Sequence, residues 1–125
     1  MTVTYQVFKK ILERRAYAAG ATVFREGEKA NTAFVLLRGD VQITTTNAAG
    51  KAVALAEIKI GQIFGELALM SPDSRRTATA STATSCEVMI LSHTMLQEKL
   101  DAADPFVKFW LQYLSERLIE SSKRV

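Results

Sequence analysis

The sequence predicts a mainly β fold with flanking helices, on three observations. Glycines at 20, 27, 39, 50, 61 and 65 punctuate the first two-thirds of the chain and then stop. The segments between them are short and rich in β-branched and aromatic residues, the composition of strands in an antiparallel sheet with turns about every ten residues. After Leu91 the apolar spacing lengthens from two residues to about 3.6, the period of a helix.

Taken in order, Thr4 to Lys10 is expected as a short helix within an N-terminal helical segment over 1–11. A first strand follows near Leu12 to Tyr17. Further strands are expected over Ala21 to Arg25, Ala33 to Leu37, Val41 to Thr46 and Val53 to Ile60. In the strand over Val41 to Thr46, Val41, Ile43 and Thr45 alternate with Gln42, Thr44 and Thr46, giving one buried and one wet face. Asn47-Ala48-Ala49-Gly50 is turn chemistry and makes a hairpin of its flanking strands. Arg76 to Thr82 and Glu87 to Leu91 supply two more strands, with a turn near Thr84-Ser85. Leu96 and Leu100 then share one face of a helix opening at Ser92 or Thr94, and Thr94 with Gln97 has capping-box spacing. Asp104 and Pro105 form an N-cap and first-turn pair for a second helix running to about Ser121. Its apolar surface is wide: Phe106, Trp110, Tyr113 or Leu114, and Arg117 trace one side, and Val107, Leu111, Leu114 and Leu118 another. The expected organisation is one domain over 1–125, with β structure over 12–91 and helices over 92–122.

Composition narrows the function. A chain of 125 residues, 48% apolar and 23% charged, has the profile of one soluble domain. Cys86 stands alone. A single cysteine permits neither an intramolecular disulfide nor a Cys-based zinc site, so a cytoplasmic setting is expected. The formal charge of +3 comes from 16 basic and 13 acidic residues. The pairs Lys9-Lys10, Arg14-Arg15, Arg75-Arg76 and Lys123-Arg124 are scattered among acidic neighbours, which argues against nucleic-acid binding by this chain. The charged residues among the first twenty exclude a signal peptide, and no stretch approaches the roughly 20 apolar residues of a membrane span. With one histidine, His93, and no HExxH, GxSxG or Walker pattern, the chain is not expected to be an enzyme.

The stretch that carries chemistry runs from Gly61 to Ala80 and interrupts the strand pattern. Gly65 lets backbone approach a ligand closely. Glu66 to Met70 can make one helical turn whose free N–H groups attract an anion. Ten residues beyond Glu66, Arg76 offers a planar donor fork suited to phosphate. The Glu66 carboxylate cannot face that same negative charge and needs a donor such as a sugar hydroxyl. An internal ion pair between Arg76 and Glu66 is the plainer reading of the two charges. Arg75 reads as a solvated loop residue, Cys86 as a small core residue and His93 as an exposed helix start.

These residues closely resemble the phosphate-binding cassette of the cyclic nucleotide-binding domain family, which includes the catabolite activator, cyclic-nucleotide-gated channel and kinase regulatory subunit types. Glu26-Gly27, Phe34 to Gly39, Phe64-Gly65-Glu66-Leu67-Ala68-Leu69, Arg76-Thr77-Ala78-Thr79 and the terminal helix fall in family order. The interval from Glu66 to Arg76 is similar to the catabolite-activator type. Kinase-type cassettes are often one residue shorter and carry Pro where this chain has Arg75.

The resemblance implies an antiparallel β-roll, jelly-roll-like, with a phosphate-binding cassette over 61–80 and a C-terminal lid helix. It implies a regulatory domain that binds cAMP, cGMP or both as ligand and uses no cofactor. Phe64, Gly65 and the amides of Leu67 and Ala68 would line the ribose-phosphate, Glu66 would accept from the ribose 2'-OH, and Arg76 would pair with the exocyclic phosphate oxygens. Thr77 would contact the phosphate and, in family members that accept cGMP, can bond the guanine 2-amino group; Ala78 follows it. Phe109, Trp110, Tyr113 and Arg117 are the lid candidates, although core or dimer packing is the plainer reading of Trp110 and Tyr113.

Three classes compete: a ligand sensor signalling through its last helix, the same fold acting through protein contacts without a ligand, and an enzyme such as a phosphodiesterase. Hydrolysis would need metal ligands or a general base that the cassette lacks. The expected partner of the terminal helix is a second copy of this chain or an effector domain of a longer protein.

Overall fold

The computed structural model describes residues 13–70 and 72–123. The expected N-terminal helix lies outside them. Eight strands form two antiparallel four-stranded sheets. The first sheet has the order β1-β8-β3-β6, from Glu13–Tyr17 (β1), Cys86–Ser92 (β8), Thr32–Arg38 (β3) and Ile63–Phe64 (β6). The second has the order β2-β7-β4-β5, from Thr22–Phe24 (β2), Thr79–Thr82 (β7), Val41–Thr46 (β4) and Ala52–Ile58 (β5). The sheets do not close into a barrel. A short helix, α1 (Glu66–Met70), interrupts the strands, and α2 (His93–Asp101) and α3 (Pro105–Lys123) follow them.

The central strands of the first sheet, β3 and β8, are buried on both faces, which explains their unbroken apolar runs. Phe34 and Leu36 of β3, with Cys86, Val88 and Ile90 of β8, join Phe24, Val41, Phe64 and Ala80 in a core between the sheets. The alternate residues Ala33, Val35, Met89 and Leu91 pack outward against Leu69 of α1, with Met95 and Leu96 of α2 beside them. The β4–β5 hairpin turns where expected. Asn47 Oδ1 accepts the amides of Ala49 and Lys51, both at 3.0 Å, and the Asn47 amide donates to the Lys51 carbonyl.

Three expectations need correction. The strand expected over Arg76 to Thr82 starts only at Thr79, because the Arg76 backbone is committed elsewhere: its amide donates to the Glu28 carbonyl and its carbonyl accepts from the Gly27 amide, each at 2.8 Å. The strand expected to reach Ile60 stops at Ile58, where Lys59 and Gln62 close a turn through hydrogen bonds of 2.8 and 3.0 Å. The cap of α2 is Ser92, whose hydroxyl accepts from the Met95 amide, and the Thr94–Gln97 pair is not used. Asp104 caps α3 as expected, its carboxylate accepting from the Phe106 amide at 2.9 Å. No helix among the described residues is long and apolar enough to cross a membrane.

Candidate functional site

A cavity of about 260 Å³ opens against α1 and the segment that leads into β7. That is just under the roughly 300 Å³ at which small-molecule sites begin. Its polar side is built from one short stretch of chain. Pairing of β6 with β3 fixes Phe64 opposite Phe34. Gly65 then turns the chain with φ +79°, and α1 starts at Glu66. A Cβ on Gly65 would lie 2.8 Å from Arg76 Nη1 and 3.0 Å from the Phe24 ring, so this position needs glycine for space as well as for conformation. Burial of Ala68 and Leu69 anchors the helix and leaves its opening toward the cavity.

Arg76 enters from the other side, held by the two backbone bonds to Gly27 and Glu28. Only 5% of it is exposed. Nη1 donates to the Gly65 carbonyl at 3.0 Å and Nη2 to the Thr32 hydroxyl at 3.1 Å. Its Cζ stands 4.1 Å from the centroid of the Phe24 ring and 5.7 Å from that of Phe34. Phe24, Phe34 and Phe64 stack on one another with centroid separations of 5.3 to 6.1 Å. The guanidinium therefore rests on an aromatic floor and donates to two neutral oxygens, and among the described residues no carboxylate is hydrogen-bonded to it. Burial lowers its pKa, and the charge of Glu28 opposes that change. An arginine still stays protonated under such conditions. The result is a desolvated cation at the edge of a cavity.

Glu66 is the opposite charge, and it is not the ion-pair partner of Arg76. Burial raises the Glu66 carboxyl pKa above the usual range, while a bond from its own amide works the other way. The site thus holds two half-buried or buried charges that, among the described residues, have no hydrogen-bonded counter-ion, with Glu28 acting on Arg76 only through space.

The eight cassette residues Phe64, Gly65, Glu66, Leu67, Ala68, Arg76, Thr77 and Ala78 all line this cavity. Thr77 is exposed and Ala78 is buried. The remaining wall is apolar and was not anticipated: Phe24, Ile43, Leu55, Ala56, Ile58 and Ile63. Phe109, Trp110, Tyr113 and Arg117 do not line it. They stand on α3, exposed, with Phe109 stacked on Tyr113 and Arg117 over the Tyr113 ring. The helix nevertheless packs against α1, and Ile119 is buried. Arg75 lies off the cavity, exposed, its side chain donating to the Gly27 carbonyl. Cys86 is buried, with its thiol against the carbonyls of Asp40 and Thr84, and His93 is exposed at the start of α2. Among the described residues, no group of three or more His, Cys, Asp or Glu side chains could hold a metal ion.

Two antiparallel sheets, an interrupting glycine-led helical turn and a buried arginine that lines the same cavity as that turn are the features to set beside known proteins. Residues 14–103 match the family model described as cyclic nucleotide-binding domain. The chain belongs to the cyclic nucleotide-binding domain family. It is 30% identical over 109 residues to the cAMP-activated global transcriptional regulator CRP of Haemophilus influenzae, covering 87% of this chain and 49% of the relative. The chain thus spans about half the length of the curated relatives it matches. Among solved structures, the N-terminal domain of a transcriptional regulator from Streptomyces coelicolor superposes with a TM-score of 0.72 at 25% identity, covering 98% of this chain and 85% of that one. A cAMP-bound PfPKA-R structure superposes with a TM-score of 0.69 at 26% identity, covering 78% of this chain and 34% of that one.

Proposed function

We propose that the chain is a regulatory, non-catalytic domain whose cavity takes a cyclic purine nucleotide, cAMP or cGMP, and whose α3 helix passes occupancy on. The observation that carries this reading is the buried Arg76 guanidinium, which lines the cavity with only neutral hydrogen-bond acceptors around it. An anion entering the cavity supplies the missing counter-charge, and the cyclic phosphate is that anion. The first-turn amides of Leu67 and Ala68 have no partner within a five-residue helix and add donors to the same phosphate-ribose group. Glu66 accepts from the ribose 2'-hydroxyl, which relieves a carboxylate that burial leaves poorly solvated. Thr77 contacts the phosphate edge and bears on the base, and the apolar wall of Ile43, Leu55 and Ile63 receives the purine.

Coupling follows from the packing of α3 on α1. A ligand that shifts α1 changes the footing of α3, by no more than its differential affinity for the two arrangements. The exposed face of α3, with Phe106, Trp110 and Leu118 each more than half exposed, suits a second copy of the chain or an effector domain of a longer protein. The H. influenzae regulator named above is cAMP-activated, which supports the ligand class.

Calorimetric titration with cAMP and with cGMP tests the reading. Heat of binding with either, lost in Arg76→Ala, is the expected result. No heat with either nucleotide returns the chain to the second class, a family member that acts through protein contacts alone.

A further inference from the structure

We propose that Thr32 is a positioning residue for the anion site: its hydroxyl holds the Arg76 guanidinium in the orientation that receives the phosphate. The inference deepens the nucleotide reading above and rests on it. Thr32 opens β3, where it is paired in register with Ser92 of β8, and the neighbouring Asn31 carbonyl accepts from the His93 amide at 2.8 Å. The hydroxyl therefore hangs from a rigid part of the first sheet, on a β-branched side chain with few rotamers. It accepts from Arg76 Nη2 at 3.1 Å, while the Gly65 carbonyl accepts from Nη1 at 3.0 Å. These two bonds grip the two ends of the fork, and the Phe24 ring 4.1 Å away supports its face. Without the Thr32 bond, one end of the fork is free to turn on the ring.

The chemistry of the acceptor matters as much as its place. A carboxylate at position 32 would also hold the fork, but it would neutralise the cation and compete with an incoming anion. A hydroxyl orients the guanidinium and leaves its charge uncancelled. Three of the five guanidinium N–H groups remain beyond the two used here. Thr32 thus acts through Arg76 and need not touch the ligand.

The test compares Thr32→Val and Thr32→Ala, which lack the hydroxyl, with Thr32→Ser, which keeps it. Calorimetry with cAMP and cGMP is expected to show about tenfold weaker binding for the first two, the scale of one hydrogen bond to a charged group. Thr32→Ser should bind like the parent. Adenosine, which has no phosphate, should bind all four proteins alike, and Thr32→Val should cost nothing further in an Arg76→Lys background. Side-chain ¹⁵N spectra of Arg76 without nucleotide give an independent reading: slow guanidinium rotation in the parent and Thr32→Ser, fast rotation in Thr32→Val and Thr32→Ala. Equal affinity and equal rotation in all four would overturn the proposal, as would an equal loss for adenosine or a failure of serine to rescue. If the parent binds neither nucleotide, the nucleotide reading fails, and the rotation rates alone then decide the role of Thr32.

Discussion

The Arg76 guanidinium lies over the Phe24 ring at 4.1 Å, so an aromatic face stands where a counter-ion would be expected. A cation above a ring is attracted by the ring's quadrupole, by about 2 kcal/mol when desolvated. That is enough to help keep the charge inside the protein, but a phosphate can displace the compensation with a better one.

Removing the guanidinium should therefore separate binding from stability. Arg76→Ala is expected to cost about 2 to 5 kcal/mol of nucleotide binding, the scale for losing one partner of a buried charge pair. Arg76→Lys should weaken binding too, because an ammonium has no fork. Arg76→Met, which keeps the stem and removes the charge, should leave the unliganded chain as stable as the parent or more so. A urea midpoint well below the parent for Arg76→Met would contradict the account, as would parental affinity in Arg76→Ala.

Gly65→Ala should damage both properties at once. The left-handed conformation alone costs about 1 to 2 kcal/mol with a side chain present. The added methyl would also press on Arg76 Nη1 at 2.8 Å. A lowered urea midpoint together with weakened nucleotide binding is expected; a variant that loses stability but binds normally would show that the guanidinium does not depend on this turn.

Acid should weaken binding through Glu66. Burial sets its pKa in the free protein above the ordinary carboxylate value. The ribose hydroxyl donates more strongly to the ionised form than to the protonated one, so binding favours expulsion of a proton once the pH falls through that raised pKa. Affinity should be flat above the raised value and decline below it, with proton release visible as a buffer-dependent heat. The unliganded stability runs the other way. A carboxyl with a raised folded-state pKa favours folding in acid, and this contribution is lost as pH rises from the unfolded pKa through the folded one. Glu66→Gln should flatten both profiles, and a parental pH profile in that variant would remove Glu66 from the ribose contact.

Thr77→Ala should lower affinity for cGMP more than for cAMP, measured by paired titrations. An equal loss for the two would leave Thr77 with the phosphate and no part in base selection.

Much of this architecture was legible in the chain, and the exceptions share a cause. β4 and its hairpin follow from the alternation at Val41 and Ile43 and from the Asn47 turn, all of them local signals. β6 is two residues long and sits between Gly61 and Gly65, too short to leave a periodicity. The early part of the strand expected over Arg76 to Thr82 is committed instead to Gly27 and Glu28, partners about fifty residues away in sequence that no local pattern reveals. The cassette was legible for the reason β4 was: Gly65, Glu66 and Arg76 lie within one short stretch. Thr32 and Phe24 escaped notice because the arginine meets them only after the sheets assemble, the first across 44 residues. The lid candidates Phe109, Trp110, Tyr113 and Arg117 belong to a helical stripe on α3. Such a stripe shows that a face is apolar without showing what covers it.

Adjacent residues of β3 serve opposite sides of the first sheet. Phe34 belongs to the aromatic floor under Arg76, and Val35 packs with Leu69 of α1. One peptide unit of β3 therefore ties Phe34, whose ring lies 5.7 Å from the Arg76 guanidinium carbon, to the contact that seats α1. Because neighbouring residues of a strand face opposite ways, any shift of β3 is felt at both contacts at once.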